Sequence, residues 1–92
     1  MTYRINSAAS LHWASWDDEY VIFNERSGQT HQMDSVRAFV VHCLGTEAHS
    51  INSLVAELAD IPTLAEKFNL PELVKVILNE FCVHGLVEAV KV

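Results

Sequence analysis

Positive charge is scarce in this chain. Six Lys and Arg stand against twelve Asp and Glu, for a net charge of −6. The six (Arg4, Arg26, Arg37, Lys67, Lys75 and Lys91) are scattered rather than clustered. Nucleic-acid binders concentrate cations on one face because phosphate neutralisation dominates their affinity, so DNA and RNA are poor main partners. Cysteine is scarcer still. Cys43 and Cys82 lie far apart, each within an apolar helical pattern, and read as buried free thiols rather than a disulfide. There is no C-x-x-C pair to clamp zinc or an iron–sulfur cluster. A Gly-rich phosphate loop, G-x-S-x-G and H-E-x-x-H are missing too. No apolar run is long enough to cross a bilayer, and no basic segment followed by an apolar stretch marks a signal peptide. The expected location is therefore cytoplasmic, with no membrane partner.

What remains for chemistry is thin. A metal would have to recruit His42, Cys43, His49, Cys82 and His84, yet His42 and Cys43 are neighbours on a helix and point about 100° apart. Cys–His catalysis needs a pocket and an orienting group for which a chain this short gives no sign. The expectation is no catalytic residue, no metal and no cofactor.

What is there is core-forming material. Half of the 92 residues are hydrophobic, enough for one small packed domain over residues 1–92 but not for an elaborate catalytic cavity. Residues 1–10 are polar and small and read as a loose lead-in, with Tyr3 and Ile5 free to dock on a sheet. Leu11 to Trp16 alternates as a strand, Leu11, Trp13 and Ser15 on one face and His12, Ala14 and Trp16 on the other. Its two tryptophans are expected in the core or covering the sheet. Asp17-Asp18-Glu19 reads as a turn. Tyr20-Val-Ile-Phe23 suits a half-buried strand, Ser27-Gly28 a tight reversal, and Gln29 to Met33 a second, shorter strand with His31 and Met33 turned inward. This last piece carries no strongly apolar outer face, which suits a sheet edge whose backbone groups can pair with another chain.

After Asp34-Ser35, a helix N-cap signal, the period changes from 2 to 3.6. Val36, Phe39, Val40, Cys43 and Leu44 form the stripe of a first helix that ends at Gly45. Ser50 caps a second, with Ile51, Leu54, Val55 and Leu58, which stops at Pro62; residues 63–68 suit one irregular further turn. A third begins near Asn69-Leu-Pro71, where proline is tolerated in the first turn, and ends at Gly85. Leu70, Val74, Ile77, Phe81 and His84 form its core stripe. Val76 and Val83, a heptad apart, fall on the opposite side, a shallow second apolar face. Leu86 to Val90 suits a short returning strand. The fold class is therefore α+β: a three-stranded antiparallel sheet followed by three helices.

The run Leu11-His-Trp, Tyr20-Val-Ile-Phe-Asn-Glu25, Thr30-His-Gln-Met-Asp34 and the helix ending Cys43-Leu-Gly45 resembles the PqqD family of peptide chaperones, also called RiPP precursor-peptide recognition elements. Ser50-Ile-Asn-Ser-Leu54, Leu78-Asn-Glu-Phe81 and His84-Gly-Leu-Val87 are similar to the family's later landmarks, so the resemblance spans about residues 10–90. The chain departs in having Met33-Asp34 where the family often has Leu-Asn, and Asn24-Glu25 where it often has Pro-Glu. Phe23-Asn-Glu-Arg-Ser-Gly28 is most similar to a branch tied to an HPr-kinase-related gene system. The resemblance implies a winged-helix-like fold and a non-catalytic adaptor. The leader of a ribosomal precursor peptide adds as a strand beside the third strand, lies against the third helix and is presented to a modifying enzyme. On that reading Gln29, Thr30, His31 and Gln32 pair with the peptide backbone, and Val76, Glu80 and Val83 touch its side chains. The alternative is a winged-helix transcription regulator, disfavoured by acidic Glu47, Glu57 and Asp60 on and beside the second helix. Monomer and homodimer both stay open.

Overall fold

The computed structural model describes residues 1–7, 9–17 and 19–90, with the backbone alone for Trp16. The chain order is β1 (Thr2–Ile5), β2 (Leu11–Trp16), β3 (Glu19–Asn24), β4 (Gln29–Met33), α1 (Ser35–Thr46), α2 (Ile51–Ala59), α3 (Pro62–Lys67), α4 (Leu70–Val83) and β5 (Val87–Val90). The class is α+β, and the expected meander is present: β2, β3 and β4 pair antiparallel in that order.

Local chemistry places the element ends. At the β3–β4 turn Gly28 adopts φ 74°, a left-handed conformation that Cβ-bearing residues rarely adopt. Asn24 organises the same region from inside: its buried Oδ1 accepts the N–H groups of Ser10 and Arg26, each at 3.1 Å. At the β2–β3 turn Asp17 takes φ 50°; Asp18 lies outside the described residues. Side-chain oxygens cap three helices: Asp34 accepts from Arg37 N, Ser50 from Ser53 N, and Asn69 from Glu72 N. Gly85, at φ 75°, ends α4.

The structure departs from the sequence expectations at several points. Gly45 is the penultimate residue of α1, which runs to Thr46. The turn expected after Pro62 is a regular short helix, α3, with proline in its first turn. The supposed lead-in is a strand: Thr2–Ile5 pairs antiparallel with Val87–Val90, and Arg4 Nε meets Glu88 Oε1 at 2.7 Å. Tyr3 also exchanges backbone hydrogen bonds with His49 at 2.7 and 2.9 Å, pinning the α1–α2 loop. Both ends of the chain thus join in a second, two-stranded sheet.

The core lies between the meander and the helices. Ile22 and Met33 meet Val40, Val41 and Leu44 of α1, Leu54 and Leu58 of α2, Val74, Ile77, Leu78 and Phe81 of α4, and Leu86 and Val87 of the tail. Trp13 is not part of it. It stands opposite Ile22 in the register, yet 45% of it is exposed, because the helices do not cover β2 as they cover β3. The side chain of Trp16 lies outside the described residues.

Candidate functional site

β4 is one edge of the three-stranded sheet. Glu25 donates its N–H to Ser10 on the β2 side at 2.8 Å, and Asn24 accepts from Gly28 on the β4 side at 2.8 Å. The two polar groups of a strand residue point the same way, and successive residues alternate. Asn24, Ile22 and Tyr20 therefore face their register partners Gln29, His31 and Met33. The backbones of Thr30 and Gln32 are left facing away from the sheet, and their side chains are exposed. Gln29 and His31 turn their backbone groups toward β3, with Gln29 N–H also reaching Ser27 Oγ at 3.2 Å.

Beside this edge a cleft of about 290 Å³ separates β4 from the C-terminal half of α4, walled by Thr30, His31, Gln32, Arg37, Glu80 and His84. The strand and the helix thus wall one cleft together.

Arg37 closes one side. Its Nε and Nη2 donate to the two Glu80 carboxylate oxygens at 2.8 and 3.0 Å, and its Nη1 donates to Asp34 at 2.8 Å. One guanidinium thus joins the end of β4, the first turn of α1 and the third turn of α4, using the bidentate geometry that suits arginine to carboxylates. The Arg37 hydrogen bond holds the Glu80 carboxyl below its ordinary pKa. Glu80 enters the cleft wall already paired, which only the tertiary structure reveals.

On the other side the rings of His31 and His84 lie 5.4 Å apart. His31 Nε2 is buried without a hydrogen-bond partner. Burial, then the neighbouring charge of His84, lowers the His31 pKa from 6.5. His84, grouped by periodicity with the core stripe, is the exposed C-cap of α4. Met33 is buried as expected, and His31 half-buried.

Val76, Glu80 and Val83 share one face of α4 by their spacing, with Val76 51% and Val83 75% exposed. Of the three, Glu80 lines the cleft beside β4, and Val76 and Val83 are not among its walls. The residues considered for a metal do not converge: among the described residues no group of three His, Cys, Asp or Glu is placed to hold an ion. Cys43 and Cys82 are free, and burial pushes both thiols up from their ordinary pKa, the opposite of what a thiolate nucleophile needs. Among the described residues no helix is long and apolar enough to cross a membrane.

No protein-family model matches the chain, and no curated protein matches it. Among solved structures, TbiB1 in complex with the TbiA(beta) leader peptide is similar over 97% of this chain and 99% of its own. The TM-score is 0.68 at 16% sequence identity. That likeness establishes a shared fold.

Proposed function

We propose that this domain is a non-catalytic adaptor that binds the leader segment of a ribosomally made precursor peptide by strand addition to β4. The observation that carries this reading is the juxtaposition of a free strand edge at Thr30 and Gln32 with the cleft under α4. Backbone pairing at the edge supplies affinity, while side chains entering the cleft and touching Val76 and Val83 supply selectivity. The shared fold with TbiB1, a protein solved with a leader peptide bound, supports the same reading. So do the motifs that resemble the PqqD family. The peptide would then be handed to a separate modifying enzyme in the cytoplasm, and Phe23 to Gly28 favours one from an HPr-kinase-related system.

The DNA-binding alternative gains no support. Glu57, Asp60 and Glu66 are exposed on α2, its cap and α3, against Lys67 and Lys75 as the only bases from α2 through α4.

The test is a backbone-amide NMR titration with the N-terminal half of the short open reading frame beside the gene. Shifts concentrated on residues 28–34 and 72–84 are the expected outcome. Shifts elsewhere, or none with the fold intact, would remove the proposal.

A further inference from the structure

The polar groups of the cleft between β4 and α4 are not equally satisfied. Its charged walls are paired: Arg37 bonds both Glu80 oxygens and Asp34. His31 is not. Among the described residues its Nε2 is the one buried side-chain nitrogen or oxygen without a hydrogen-bond partner. His31 stands opposite the fully buried Ile22 in the register. Directly opposed residues share a sheet face, so the imidazole lies on the side of the sheet that meets the helices. There it walls the cleft and faces the ring of His84, at 5.4 Å between centroids.

A neutral imidazole tolerates this setting; an imidazolium does not. Protonation makes both ring nitrogens donors, and an enclosed charge without an acceptor is costly. The surrounding groups offer little relief. From α4, His84 adds a like charge when protonated, and the Glu80 carboxylate is held by Arg37 of α1, itself tied to Asp34. β3 sets apolar Ile22 opposite His31, while the Tyr20 phenol lines the cavity between β2, α1 and α3. Phe81 and Leu86 add apolar walls. The open volume beside the ring is the cleft itself, so a charged His31 reaches water by swinging into it.

We infer that His31, with His84 facing it, is a pH-sensitive gate on the β4–α4 cleft, which admits a leader side chain while His31 is neutral and refuses it once His31 is protonated. The inference rests on the proposed strand addition at β4. A leader side chain in the cleft takes the volume that a charged ring needs, so the complex holds His31 neutral more firmly than the free domain does. By linkage, affinity is constant at high pH and falls as the pH drops through the free domain's His31 pKa, which lies below 6.5.

Calorimetric titration at about pH 7.5 and about pH 5.5 tests it. The probe is the N-terminal half of the short open reading frame beside the gene, with its own histidines replaced by glutamine. The parent domain is expected to bind at least about fivefold more weakly at the lower pH, and His31→Gln to change less than about twofold. A second measurement needs no variant: the imidazole C–H signals of His31, followed by NMR, should titrate at lower pH when the domain is saturated with the probe. Equal affinity at both pH values, tighter binding at the lower one, or the same loss in His31→Gln would overturn the gate while leaving strand addition standing. So would a His31 titration that the probe does not move. Absence of binding at pH 7.5 with the fold intact would remove strand addition itself and the gate with it.

Discussion

At the scale of single residues, His31 is the group whose behaviour is least expected from its position in a polar strand. Its Nε2 is enclosed without a partner and its ring faces His84, with the Arg37–Glu80 pair lining the same cleft. Its pKa in the folded protein lies below the ordinary 6.5, so the unfolded chain binds more protons as pH falls through that value. The stability conferred by a neutral His31 is complete above pH 6.5 and declines as the pH drops toward its folded pKa. Glu80 acts in a separate window: its lowered pKa contributes stability that is lost only as pH falls below the carboxylate's ordinary 4.5. Urea denaturation of the domain at about pH 7.5 and about pH 5.5 should show lower stability at the lower pH, with a smaller difference in His31→Gln. An identical pH difference in both proteins would show that His31 is not responsible.

At the scale of elements, β4 is an edge on one side and a ladder on the other, and the two roles alternate residue by residue. Proline at Gln32 removes an N–H that faces outward, whereas proline at His31 removes one that bonds β3. Gln32→Pro should therefore unfold within a few degrees of the parent protein yet lose roughly three- to tenfold in leader affinity, the worth of about one hydrogen bond. Melting curves together with a binding isotherm check this. Unchanged affinity in Gln32→Pro would mean that the peptide does not pair with the edge. α4 divides its work in the same way, with Val74, Ile77 and Phe81 buried in the core while Val76 and Val83 remain exposed.

At the scale of the whole molecule, the β1–β5 sheet ties the start of the chain to its end and, through Tyr3 and His49, to the α1–α2 loop. Tyr3 and Ile5 pack against the core, and Leu86 and Val87 are fully buried where the tail returns. Deleting residues 1–7 exposes this region and should cost about 3 kcal/mol, the worth of two well-buried side chains. That is a large share of the stability of a domain this size. Denaturant titration of the truncated chain checks the figure. A loss under about 1 kcal/mol would mean that the strand only decorates the fold.

Sequence alone determined the features that depend on neighbours a few residues apart. The period-2 and period-3.6 patterns, the caps at Asp34, Ser50 and Asn69, and the reversals at Gly28 and Gly85 follow from local backbone chemistry, and each stands where it was expected. Tertiary structure decided what depends on distant neighbours. Thr2–Ile5 alternates polar and apolar residues over only four positions, too short a run to mark a strand whose partner lies at the other end of the chain. Glu80, expected only as a contact for the peptide, meets Arg37 because α1 brings that residue to it from 43 residues away. Trp13 reads as core or as a cover for the sheet because its apolar area is large; burial requires a covering element, and with the helices leaving that part of β2 open the ring stays half-exposed. Periodicity says which side of an element is apolar; only the packing of the other elements says whether that side is covered.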